Sequence, residues 1–399
     1  MDMLKIENAT VVTPAAVLPQ TNVWIAEGRV LSIGDPEDSP TPSRILDAAG
    51  DYLMPGFIDL HVHGGGGADF MDATPEAFET AVRAHLAHGT TLLYPTAMAA
   101  RHASLCAFLD AYQAFRATSP LAALTPGVHL EGPYFYGASK DSRGAQDASV
   151  LRLPDPEEVE ILLARAKGSI LRWDASPELE GAQAFAKRMV EAGILCSAAH
   201  TDATAAQAKA GFDAGFSHVT HFYNVVSSHR KREQTVYAGV VEATYLDDDV
   251  TVELIGDGCH IPREDVYLAL KIKGAEKVSV ITDGIRLSGT DLTHGKLGSL
   301  TEGTEVMVED GVAKLLDRSF FAGSIATMDR CLRVLCADYG LELSTASILL
   351  SLAPALRMGV ADRKGSIAPG KDADLLLIRP DLSLRAVLVG GEVVSPKKG

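Results

Sequence analysis

Eight times along its middle stretch this chain passes from a short apolar run into a helical one, and that alternation narrows its possible folds more than any other feature. The runs cover residues 57–63, 91–95, 127–131, 169–173, 194–200, 218–221, 252–255 and 278–283. Between them lie stretches with helical spacing, such as Pro75 to His88 with Phe78, Val82 and Leu86 on one face. Near-continuous apolar strands separated by helices suit a parallel sheet covered on both sides. Eight such units predict an α/β fold of the (β/α)8 barrel type, a TIM barrel.

The two ends read differently. Leu4-Lys5-Ile6 and Val23-Trp24-Ile25 are short β-rich runs, and Glu27-Gly28-Arg29 has the character of a hairpin turn. Residues 373–378 and 386–389 repeat that pattern around Pro380, with Gly390-Gly391 as a turn. The expectation is a small β-sandwich domain built from residues 1–53 and 361–399, flanking a barrel over 54–360. Residues 286–325 read as an insertion after the eighth strand, with a hairpin at Glu309-Asp310-Gly311 and a helix beginning near Ser324.

Charge excludes some partners. With 36 Lys and Arg against 52 Asp and Glu, the net charge of −16 repels phosphate backbones, so no nucleic-acid role is expected. The five cysteines are scattered without a CxxC pair, which argues for reduced thiols and against a thiolate metal site. No signal peptide and no bilayer-spanning run is read, so a cytoplasmic protein without membrane attachment is expected.

The chemistry concentrates where strands end. His61, His63, Glu131, His200, His221 and Asp283 each fall at the C-terminal end of a predicted strand, the end that faces the active-site mouth in such barrels. His61 and His63 share one side of a strand because side chains alternate with period two, so both rings can reach one metal. The following Gly64 to Gly67 lets backbone approach a ligand closely.

These residues, in these strings, resemble the amidohydrolase superfamily, and within it the branch acting on amino-sugar phosphates. The likeness rests on Pro55 to Gly64, His129-Leu130-Glu131-Gly132-Pro133, His221-Phe222-Tyr223-Asn224, Asp257-Gly258-Cys259-His260, Thr282-Asp283, Ala322-Gly323-Ser324 and Gly365 to Asp374. It covers nearly the whole chain. The resemblance implies Glu131, His200 and His221 as ligands of a principal divalent metal. His61 and His63, sharing Glu131, would hold a second, giving one or two ions per subunit. Zinc is expected first, with iron, manganese or cobalt also suited to such ligands. Asp283 is expected at the metal centre as general base. It would take a proton from the attacking water and pass it to the leaving amine, in hydrolysis of the acetamide of N-acetylglucosamine 6-phosphate.

The resemblance also implies substrate contacts at Gln146, Asn224, Val225 and His260, and a homodimer in which Arg232 reaches the neighbouring site. Relatives continue that arginine as Arg-Glu-Pro-Gly, whereas this chain reads Arg232-Glu233-Gln234-Thr235. Competing readings are a deacetylase of another sugar phosphate, such as the galactosamine analogue, and a non-catalytic sugar-phosphate-binding barrel. A cyclic-amide hydrolase is disfavoured because no lysine ends a candidate strand. His85, His88 and His102 read as surface or packing residues. His129 reads as a hydrogen-bonded support and His218 as pointing away from the metal. Arg286 is an alternative, purely structural partner for Asp283.

Overall fold

A computed structural model describes residues 3–37, 40–232 and 234–395, and of Arg232 the backbone alone. Its centre is an eight-stranded parallel sheet. In spatial order the strands are Phe57–Val62, Thr90–Ala97, Val128–Tyr134, Ile170–Ala175, Leu195–Ala198, Phe216–Val219, Thr251–Ile255 and Val278–Ile281. All eight correspond to the apolar runs of the sequence, and each lies beside its neighbours in chain order. Past the last strand the backbone bonds to the first. The Asp283 N–H donates to the His61 carbonyl at 3.0 Å, the His63 N–H donates to that of Gly284 at 2.8 Å, and Val62 bridges Gly284 in parallel.

The helices that cover this sheet follow their local signals. Pro75–Ala87 starts where the Thr74 hydroxyl caps the Ala77 N–H at 3.2 Å and Pro75 occupies the first turn. Phe78, Val82 and Leu86 are buried on its inner face, where Phe78 stacks on Phe115 at 5.7 Å.

The two ends of the chain meet in a second eight-stranded sheet. Met3–Val12, Val17–Ala26, Arg29–Ile33, Arg44–Asp47 and Tyr52–Pro55 contribute from one end, and Leu375–Ile378, Leu384–Val389 and Glu392–Ser395 from the other. Antiparallel pairing of Leu375 with Pro55 through Ile378 with Tyr52 joins them. Ile6, Val11, Val23, Leu53, Leu375 and Leu388 form a separate buried core there.

The insertion after the central strands is a three-stranded antiparallel sheet of His294–Leu297, Thr304–Glu309 and Val312–Leu315, turning at Asp310 and Gly311 as expected. The helix expected near Ser324 instead begins at Met328. Ser324 has the residue type of a helix cap, but its N–H donates to the Asp283 carbonyl at 2.8 Å and it bridges Gly284. Its backbone is thereby held extended.

Candidate active site and metal centre

Six side chains converge at one end of the central sheet, all of them buried. His61 lies within its strand, Glu131 within Val128–Tyr134, and His63 immediately follows Phe57–Val62. His200, His221 and Asp283 each sit two residues beyond their strands, with φ of +46°, +28° and +49°. The chain thus turns left-handed there, an arrangement unusual for residues with a β-carbon.

Two overlapping donor sets result. Glu131 Oε1 lies 2.9 Å from His200 Nε2 and 3.1 Å from His221 Nε2. Glu131 Oε2 lies 3.6 Å from His63 Nε2, which is 3.2 Å from His61 Nε2. Asp283 Oδ1 stands 3.2 Å from His63 Nε2 and 3.5 Å from His61 Nε2. Glutamate is therefore common to both sets, and either could hold a metal ion.

The tautomers test that fit. His200 Nδ1 faces the Ser142 and Arg143 carbonyls at 3.2 and 3.1 Å, and His221 Nδ1 faces the Asn224 carbonyl at 3.1 Å. Carbonyls only accept, so these protons sit on Nδ1 and the Nε2 lone pairs point at a carboxylate. Lone pair against carboxylate oxygen is repulsive unless a cation lies between them. Among the described residues no lysine or arginine pairs with Glu131 or Asp283. A nitrogen and carboxylate set backed by hydrogen-bonded rings suits a divalent ion.

Electrostatics agree. Burial opposes charge on Glu131, yet its hydrogen bonds with His200 and His221 hold the carboxyl well below the usual range. Burial likewise opposes charge on Asp283, but the His61 and His63 rings outweigh it and keep the carboxyl low. In return, and against their own burial, the Asp283 hydrogen bond lifts His63 to about 9 and the Glu131 hydrogen bond lifts His221 to about 8. Protons would take the place that a metal fills.

The cluster floors a cavity of about 320 Å³. Gln146 lines it and donates from Nε2 to Glu131 Oε2 at 2.8 Å, while its buried Oε1 has no hydrogen-bond partner among the described residues. Asn224, Val225 and His260 also line it. His260 is oriented by Asp257 Oδ2 at 2.8 Å from Nδ1 and by the edge-on ring of Phe321 at 4.9 Å. Arg232 ends the first strand of a hairpin, Arg230–Arg232 with Thr235–Tyr237, and its side chain lies outside the described residues.

The supporting residues fall where their surroundings dictate. His129 Nε2 stands 2.9 Å from Asp174, and His218 is turned to Thr251 and Glu253. His85, expected at the surface or in packing, is buried and bonds the Gly64 carbonyl at 2.8 Å. Arg286 does not serve Asp283: its guanidinium is taken by Asp72 and by the Lys296, Gly67 and Gly298 carbonyls.

Sequence reasoning missed the charged layer beneath the cluster. Arg172, fully buried, forks onto Glu253 at 2.5 and 2.9 Å, and also reaches Asp174 at 3.1 Å and Thr220 at 2.7 Å. Lone charges inside apolar runs were the available signal, because each demands a partner. It also missed Arg318, Phe320 and Phe321, which bring the insertion into the cavity wall.

This site sits in a recognisable lineage. Residues 52–394 match the amidohydrolase family, and the chain belongs to that family of metal-dependent hydrolases. It is 30% identical over 396 residues to an N-acetylglucosamine-6-phosphate deacetylase of Bacillus subtilis, covering 98% of this chain and 97% of that one. An N-acetylgalactosamine-6-phosphate deacetylase of Escherichia coli is 28% identical over 371 residues, covering 93% and 94%. Among solved structures, an aspartate-to-alanine variant of the Mycobacterium smegmatis N-acetyl-D-glucosamine-6-phosphate deacetylase, in complex with N-acetyl-D-glucosamine-6-phosphate, superposes with a TM-score of 0.87 at 31% identity. The match covers 98% of both chains.

Proposed function

We propose that this protein hydrolyses N-acetylglucosamine 6-phosphate to glucosamine 6-phosphate and acetate. The observation that carries the reading is the buried Glu131–His200–His221 set, with His61, His63 and Asp283 beside it, at the floor of one cavity. Glu131, His200 and His221 would hold the principal divalent cation. His61 and His63, sharing Glu131, would hold a second, with zinc the first choice and iron, manganese or cobalt also suited. When bound, such an ion polarises the acetamide carbonyl and acidifies water.

The protein's own groups do the rest. Asp283, kept ionised by the neighbouring rings, takes a proton from the attacking water. As the C–N bond breaks, it returns that proton to the leaving nitrogen, so one water is consumed and acetate and an amine are released. Gln146 donates to Glu131 and holds it in place at the edge of the cavity. His260, Asn224 and Val225 are assigned to the sugar phosphate. Arg232 is assigned to the phosphate of the neighbouring site in a homodimer, where a guanidinium suits a phosphate through paired donors. The protein is read as cytoplasmic.

We propose further that the central sheet closes as a (β/α)8 barrel over residues 54–360, supported by the bonds from Asp283 and Gly284 to the first strand. Residues 1–53 and 361–399 are assigned to a second domain, of which residues 1, 2, 38, 39 and 396–399 lie outside the described residues. One sheet with its own buried core supports its folding into a sandwich.

The galactosamine epimer is the second reading, favoured by the Escherichia coli relative. Acetate release from both 6-phosphates and from unphosphorylated N-acetylglucosamine tests the assignment. The glucosamine epimer should be cleaved fastest, chelation should abolish turnover, and a divalent ion should restore it. Metal-loaded protein that releases acetate from none of the three would refute the function.

A further inference from the structure

The buried acid Glu253 stands in the apolar strand Thr251–Ile255, at the bottom of the candidate site. Its Oε1 accepts from three groups: His61 Nδ1 at 2.9 Å, Arg172 Nη2 at 2.9 Å and the His221 N–H at 3.3 Å. Its Oε2 takes Arg172 Nη1 at 2.5 Å and lies 3.3 Å from His218 Nε2. One carboxylate therefore touches a ring from the His61/His63 pair and the backbone of a ligand from the principal set.

We infer that Glu253, clamped by Arg172, is a positioning residue that fixes the His61 tautomer and thereby makes the second cation site. The inference rests on the proposed reading of His61 and His63 as ligands. A carboxylate paired with an arginine is acceptor-only, so it requires the proton of His61 on Nδ1. The Nε2 lone pair then faces His63 Nε2, Glu131 and Asp283, where an ion would sit. Arg172 supplies the second constraint. Its forked contact leaves Glu253 no freedom to rotate away, and Asp174 and Thr220 hold the guanidinium from the other side.

Glu253→Gln changes the chemistry with little change of shape. An amide nitrogen on the Oε2 side would oppose Arg172 Nη1 and open the fork that aims Oε1 at His61. On the Oε1 side it would oppose Arg172 Nη2 and require His61 Nδ1 to accept, moving the ring proton onto Nε2. Affinity for the second ion should fall about 10–100-fold, the usual effect of losing such a support. Full-length protein, loaded with zinc and desalted, should carry two ions in the wild type and one in Glu253→Gln. His63→Ala, which removes a proposed ligand, should also carry one.

Imidazole nitrogen shifts of the metal-free, histidine-labelled protein give a readout independent of turnover. His61 should be the Nδ1–H tautomer in the wild type and should lose that preference in Glu253→Gln. Glu253→Asp, acceptor-only but one methylene shorter, should keep it. Two tightly held ions and an unchanged tautomer in Glu253→Gln would overturn the inference while leaving the ligand reading intact. One ion in both wild type and His63→Ala would overturn the ligand reading and the inference with it. Equal tautomer loss in the Gln and Asp variants, or failure of both to fold, would assign Glu253 to the fold and overturn the positioning role.

Discussion

Replacing Asp283 with asparagine separates the proton from the geometry. The backbone at this position is pinned independently of the side chain: its N–H donates to the His61 carbonyl at 3.0 Å and its carbonyl accepts from Ser324 at 2.8 Å. Its φ of +49° is also one that asparagine tolerates well. The backbone should therefore stay in place, and loss of the charge-assisted contact with His63 should cost about 1.5–3 kcal/mol of stability. What it removes is the ability to accept a proton from water and return it to the amine. General acid–base catalysis is worth about 10²–10⁴-fold, roughly 3–5 kcal/mol of transition-state stabilisation. Acetate release by Asp283→Asn should fall by that factor, while calorimetry still detects binding of N-acetylglucosamine 6-phosphate. A folded variant that keeps more than about a tenth of wild-type kcat would remove Asp283 from proton transfer.

Acid should unfold this protein through the charged layer under the site. Burial opposes charge on Asp174 and Glu253, but Arg172 outweighs it and holds both carboxyls below their ordinary values of 3.8 and 4.5. Depressed folded-state values add stability above the unfolded ones, so this layer's contribution to the urea midpoint is complete above about pH 4.5 and declines below it. A midpoint unchanged down to about pH 3 would contradict this. Arg172→Met should cost about 3–5 kcal/mol at neutral pH by stranding two buried carboxylates, and should lose less on acidification. Co-expressing Arg232→Ala with Asp283→Asn tests the shared site. If Arg232 serves its neighbour, half of randomly paired dimers hold one intact site, returning about a quarter of wild-type activity. Activity no higher than the mean of the two single variants would refute the shared site.

The His61/His63 pair is legible because strand periodicity is strict: two residues apart means the same face. Glu131, His200, His221 and Asp283 are legible as polar groups ending apolar runs. The left-handed turns that aim three of them leave no trace, since none is glycine and tertiary bonds impose the conformation. Ser324 misleads for a related reason, as its cap-like chemistry is overridden by the Asp283 carbonyl. Arg172, Asp174 and Glu253 announce themselves as charges inside strands, but strands far apart in sequence supply the partners that give them meaning. The cavity wall contributed by Phe320 and Phe321 depends on where the insertion folds back, which no local pattern encodes.

The joining of both ends in one sheet has a consequence for synthesis. Tyr52–Pro55 pairs on one side with Met3–Val12, but on the other only with Leu375–Ile378. About 320 residues separate the two, so at roughly 5–20 residues per second the ribosome exposes that half-built edge for on the order of 16–64 s. During that interval the strand offers unpaired backbone to any passing chain. Newly made protein is therefore prone to misassociate at this edge, and slow translation of the intervening residues prolongs the risk.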